Sequence, residues 1–326
     1  MKTFRKSAAG LMVCAVTMAA APVAAETYIV AVGAASNSLQ GRSAAKFAED
    51  LQARLGDADK VEFYADGQLG DEKELVQKLR LGTVQFTLVS SIMTNFLPEF
   101  ALFDMPFLVR DRAHLRAIDA QIIQPDLAPK LDEKGLHLIS TWENGFRQIT
   151  NNTRPINTPE DLAGLKIRTP SSEWRVAMFK EWGANPTPMA FSEVFVALQT
   201  GTMDGQENPL TNIVGANFQE VQKYLSLTDH VYSPTYLTSG AETWAGLPDD
   251  VKTAVSEIAA EVQDWSLAEG EKADGTLVEK VKAAGVEVND ADKAAFVAAS
   301  QPIYDAFAQQ VPGGADLVSK AQALAK

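Results

Sequence analysis

Pro186-Thr187-Pro188-Met189-Ala190-Phe191-Ser192-Glu193-Val194-Phe195-Val196-Ala197-Leu198-Gln199-Thr200-Gly201, continuing through Asp204-Gly205-Gln206-Glu207-Asn208-Pro209, is the stretch on which the reading of this chain turns. Ser192 stands as an N-cap before a helix over 193–200. Val194, Val196, Ala197 and Leu198 read as its core residues, and Phe191, taken alone, as another. Asn208 is held extended by the proline after it. Its amide offers both a donor and an acceptor, suited to a carboxylate or hydroxyl, with turn capping as the other use of that residue type.

Upstream lie Asn144-Gly145-Phe146-Arg147-Gln148 and Gly164-Leu165-Lys166-Ile167-Arg168-Thr169-Pro170, so two arginines and an asparagine punctuate this region. Leu165-Lys166-Ile167 predicts a short strand, and Thr169-Pro170 takes the chain out of regular structure. An arginine at such a strand end presents a planar fork able to hold a carboxylate through two parallel hydrogen bonds.

Further out, β-rich runs at Thr27–Val32, Val61–Ala65, Val84–Ser90 and Leu136–Trp142 alternate with helical patterns. One helix carries Phe47, Ala48, Leu51 and Leu55 on a single face, and another spans Asp71–Leu81. That alternation predicts an α/β protein with largely parallel sheets. From Asp249 to Ala284, Val251, Val255, Ile258, Val262 and Trp265 recur at spacings of four and three, and the stripe resumes at Leu277, Val281 and Ala284. This is one long or kinked amphipathic helix, opened by Pro248 and two acids in its first turn.

Residues 1–25 read as a secretory signal peptide: Lys2, Arg5 and Lys6, an apolar run from Ala8, then Val23-Ala24-Ala25. The single cysteine, Cys14, falls inside that run, so the chain from Glu26 onward has neither disulfides nor thiol chemistry. Cleavage removes three cations and no acid, taking the formal charge from −13 to −16. Such a surface repels nucleic acid, and an anionic ligand has to be held by local cations, which directs attention to Arg147 and Arg168. No Gly-x-Ser-x-Gly, His-Glu-x-x-His, phosphate loop or dinucleotide fingerprint occurs. His114, His137 and His230 lack ligand spacing and read as structural or exposed. No metal or cofactor is expected, and a monomer is the default.

Together, Asn144–Gln148, Gly164–Pro170 and the run from Pro186 to Pro209 resemble the extracytoplasmic solute receptors of tripartite ATP-independent periplasmic (TRAP) transporters. The resemblance extends over nearly the whole chain after residue 25. It implies a two-lobed periplasmic binding protein fold with a hinge and a long helix bridging the lobes. The first lobe would take residues 26–145 and 234–273, the second 146–233 and 274–326. It implies that Arg168 holds a ligand carboxylate, that Arg147 contacts the ligand or steadies the closed state, and that Phe191 packs against the ligand's carbon skeleton. Asn208 completes that side, while Asn37, Glu72, Ser90 and Ser91 fall near contact positions of the first lobe. Ser90 stands where the sialic acid-binding branch has glutamate, which argues against sialic acid, and Thr187-Pro188-Met189 and Gln206 look closer to the sugar-acid branch. The implied function is periplasmic capture of a small organic acid for a small and a large membrane subunit. C4-dicarboxylates, sulfonates and, as a rival class, a secreted carboxylate-dependent hydrolase or lyase remain open at this level.

Overall fold

A computed structural model describes residues 25–325, so the signal peptide reading and Cys14 lie outside the described residues. Among the described residues ten strands run in chain order: β1 (Thr27–Ala31), β2 (Lys60–Tyr64), β3 (Phe86–Val89), β4 (Leu136–Asn151), β5 (Lys166–Thr169), β6 (Asn185–Pro188), β7 (Gly205–Pro209), β8 (Tyr224–Leu227), β9 (Tyr232–Gly240) and β10 (Glu287–Asp290). The first sheet is ordered β2-β1-β3-β9-β4 and the second is built on β7-β5-β6 and β8-β10. β4 belongs to both: Leu136–Phe146 pairs with β9, and Arg147–Asn151 pairs with β7 and β8. The two sheets are therefore the cores of two lobes that share one strand.

Parallel pairing holds for β1 with β2 and β3, β5 with β6 and β7, and β8 with β10. The centre departs from the expected largely parallel pattern, because β9 runs antiparallel to both β3 and β4, and β4 antiparallel to β7 and β8. Strands that cross between lobes in opposite directions have to pair antiparallel. At the crossing the register slips between Glu143 and Gly145, a bulge that leaves Asn144 without a partner residue on β9. Gly145 there has φ +119°, a conformation that side-chain-bearing residues rarely adopt.

The helix over Phe47–Leu55 is part of α1 (Leu39–Leu55), started by Ser38, whose hydroxyl accepts from the Gly41 amide at 3.1 Å. The second is α2 (Glu72–Arg80), entered through a reciprocal capping box between Asp71 and Glu74. The long helix spans Asp249–Ala283. Val251, Val255, Ile258 and Val262 pack into the core of the first sheet with Phe47, Phe86 and Trp142, whereas Val281 is buried with Leu198, Ile213 and Phe218 of the second lobe. One helix thus contributes to both cores. Trp265 is only half-buried, covered by the Arg42 guanidinium 5.7 Å from its ring.

Candidate ligand-binding cleft

The principal cavity lies between the two sheets, and its lining comes mostly from segments that follow the C-terminal ends of parallel strands. Gly33 follows β1, Ser90 and Ser91 follow β3, and Glu72 opens α2; from the second lobe come Arg168 of β5, Met189–Ser192 after β6 and Asn208 of β7. Its volume is about 180 Å3.

Arg168 is the third residue of β5, so the strand continues two residues past the predicted Ile167 and ends at Thr169. Its Nε and Nη2 donate to the Met189 carbonyl at 3.0 and 2.6 Å, and Phe191 covers its guanidinium at 5.9 Å. Among the described residues no carboxylate pairs with it, and Nη1 has no partner. Burial lowers its pKa to about 10, helped by neighbouring Arg147 and Arg175, so it stays charged at neutral pH at a cost in desolvation.

Arg147 also lines the cavity, but its fork is taken: it grips Glu207 bidentately, with Nη2 2.8 Å from Oε1 and Nε bonded to Oε2, and reaches Asn208 Oδ1 at 3.2 Å. Arg175 Nη1 lies 2.7 Å from Glu207 Oε2, and Arg175 Nη2 lies 2.5 Å from Asp104. Burial alone would raise Glu207, yet the two guanidiniums and His230 drive its carboxyl far below the carboxylate range. Burial holds the His230 imidazole low, hence neutral. The cluster counts three guanidiniums against two carboxylates, and the surplus positive charge is Arg168.

Opposite stands Glu72, whose Oε1 accepts from Ser90 Oγ at 2.7 Å. Open to the cavity but otherwise walled by protein, its carboxyl is pushed up to about 7 by loss of water, against the pull of Ser90 and Arg168. Ser91 lines the same wall at the start of the 3-10 turn Ser91–Asn95.

Seven of the eight residues singled out in the sequence thus meet in one cavity; Asn37 does not. It is exposed on the turn before α1, where Ser38 N bonds to Ala35 O at 3.0 Å, and the wall there is made by Gly33, Ala34 and Gln40. Asn208 is largely committed inside the protein, its Nδ2 to Gln206 at 2.6 Å and its Oδ1 to Arg147. Ser192 is not an N-cap: Phe191–Glu193 form a 3-10 turn that leads into Val194–Gln199 without side-chain capping, and this places Ser192 on the cavity rim. Val196 is 59% exposed rather than core, because it lies on the outer face of that short helix. Gln40, Lys73, Asn144 and Asn212 line the cavity without having been selected as site residues. Only Asn144, inside the Asn-Gly-Phe-Arg run, carried a signal that could have found it.

The family profile for bacterial extracellular solute-binding proteins, family 7, matches residues 30–310. The chain belongs to this family. This receptor is 39% identical over 282 residues to the 2,3-diketo-L-gulonate-binding periplasmic protein of Escherichia coli (strain K12), covering 85% of each chain. Its fold matches the sugar acid binding protein of Advenella mimigardefordensis, solved with galactonate, at a TM-score of 0.86 and 31% identity, over 91% of this chain and 99% of that one. A TRAP periplasmic solute binding protein from Sulfurospirillum deleyianum, solved with succinate, matches at 0.87 and 32% identity, over 93% of this chain and all of that one. The TRAP resemblance and the two-lobed fold therefore stand, and the receptor acts in the periplasm.

Proposed function

We propose that this receptor captures a sugar acid or a similar polyhydroxy monocarboxylate and delivers it to the membrane subunits of a TRAP transporter, acting as a monomer that leaves the ligand chemically unchanged. The single observation that carries the reading is the buried, unpaired Arg168 guanidinium, which is itself the one positive charge in excess of its arginine–carboxylate cluster. A buried cation without a counter-ion is costly, and one ligand carboxylate relieves that cost. A second carboxylate would meet no further free guanidinium, since Arg147 and Arg175 are neutralised by Glu207 and Asp104. At roughly 10–15 Å3 per water-sized position, the volume of about 180 Å3 suits on the order of a dozen non-hydrogen atoms, the size of a six-carbon sugar acid. The diketogulonate and galactonate of the two relatives above are of this class.

The alternative is a C4-dicarboxylate, as in the succinate complex, and one observation favours it: the exposed Lys73 at the cavity wall supplies a second cation. Thermal unfolding against D-galactonate, D-glucuronate, succinate and a sulfonate decides between them. An acid at a hundred times its dissociation constant adds ~2.7 kcal/mol, a shift of about 4 °C at roughly 2.1 cal/mol/K of unfolding entropy per residue. Stabilisation by hydroxylated monocarboxylates alone supports the proposal; stabilisation by succinate alone overturns it. Recovery of the acid unaltered after incubation separates receptor from enzyme.

A further inference from the structure

Asn144 is the unpaired residue of the β4 bulge. In an unbroken strand, residues three apart point to opposite faces, yet Asn144 and Arg147 both line the cavity. The bulge re-aims Asn144, a role such irregularities commonly serve beside binding sites.

Asn144 is 2% exposed and lines the cleft. Its Oδ1 accepts from Asn212 Nδ2 at 3.0 Å. That same nitrogen faces Asn208 Oδ1 at 3.4 Å and Gln40 Oε1 at 3.5 Å. Asn208 Oδ1, fixed by the Arg147 donor, and Gln40 Oε1, fixed because Gln40 Nε2 donates to Thr235, identify that atom as the amide nitrogen, so the Asn144 amide has to present oxygen there and nitrogen elsewhere. Nδ2 of Asn144 then has no partner among the described residues.

We propose that Asn144 is a specificity-determining contact: its Nδ2 donates to a hydroxyl oxygen of the ligand's polyol skeleton, and Asn212 positions it. The inference rests on the reading of this cleft as the site of an acid. With the carboxylate seated on Arg168, a neutral amide donor on the crossing strand matches an uncharged oxygen. An acid lacking that oxygen would leave a buried donor unpaired, which is how a polar site rejects a deoxygenated analogue.

Calorimetric titration of D-galactonate and D-glucuronate into the full receptor tests this with N144A, N144D and R168A. Asn144→Asp keeps the shape and the acceptor for Asn212 but removes the donor. The expected result is about a tenfold loss in N144A and a larger one in N144D, with apo melting temperatures close to wild type. N144S offers the same truncation with a hydroxyl if N144A melts early. Wild-type affinity in either N144A or N144D, while R168A still loses binding, overturns this inference and leaves the acid-receptor reading intact. Binding of neither acid by the wild type removes that reading and this inference together.

Discussion

Arg147 and Glu207 form a buried bidentate ion pair at the point where β4 leaves one sheet for the other, and Arg175 closes on the same carboxylate from a second side. The two arginines that the sequence marks alike are therefore unlike in the fold. Arg147 arrives already neutralised, and Arg168 arrives with a free edge.

Replacing Arg168 should remove the charge-assisted contact. Arg168→Ala is expected to weaken binding of the stabilising acid by at least about 2 kcal/mol, and Arg168→Lys also to lose heavily, since a point charge cannot reproduce the fork. Apo stability should not fall in Arg168→Met, because an unpaired buried cation is a burden rather than a support. Unchanged calorimetric affinity in both binding variants would contradict the assignment.

Breaking the Arg147–Glu207 pair should act on folding first. Glu207→Gln leaves Arg147 and Arg175 buried together without their shared carboxylate. Denaturant unfolding of the apo protein should show a loss of about 3–5 kcal/mol, whereas a loss confined to ligand affinity would assign the pair to recognition instead.

Glu72 predicts a pH dependence of binding. Its pKa is raised to about 7 when folded from 4.5, so its share of stability is complete below about 4.5 and lost as pH rises through about 7. An anion bound nearby favours the protonated form further, so ligand affinity should fall between about pH 6 and pH 8 and binding should take up protons. Glu72→Gln should flatten the profile. Glu143, also raised to about 7, lies outside the cavity lining and bears on stability alone. Calorimetry in buffers of differing ionisation enthalpy reads the proton uptake; none in the wild type would refute this.

Gly270 of the long helix approaches β4 closely. A Cβ there would stand 2.6–2.8 Å from the Glu143 side chain. Glu143 cannot swing away freely, since Arg112 holds it at 2.9 Å and Tyr232 bonds its other oxygen. Gly270→Ala should cost about 1–3 kcal/mol in thermal unfolding; a neutral result would mean that the helix shifts at no cost.

The long helix was legible because its apolar stripe is a local pattern, and it came within one residue of the observed end. Phe191 and Arg168 were legible as cavity residues because each sits in a motif, whereas Glu72, Ser90 and Ser91 were placed there only by the family resemblance. Asn37 was misplaced because a turn of one or two residues decides whether a side chain faces cleft or water, and no periodicity governs that. Val196 was misread because a helix of six residues is too short for a stripe to identify its buried face.

By itself the sequence determined the α/β class, the long helix, the absence of thiol chemistry after residue 25 and the two arginines as the local cations to watch. Only the tertiary structure decided which arginine is free. Asp104 lies 71 residues from Arg175, and Glu207 lies 60 from Arg147, so their pairing depends on how two sheets meet along one shared strand. Charge balance in a buried site is a sum over neighbours in space, and spacing along a chain carries that sum only within a turn or a strand pair.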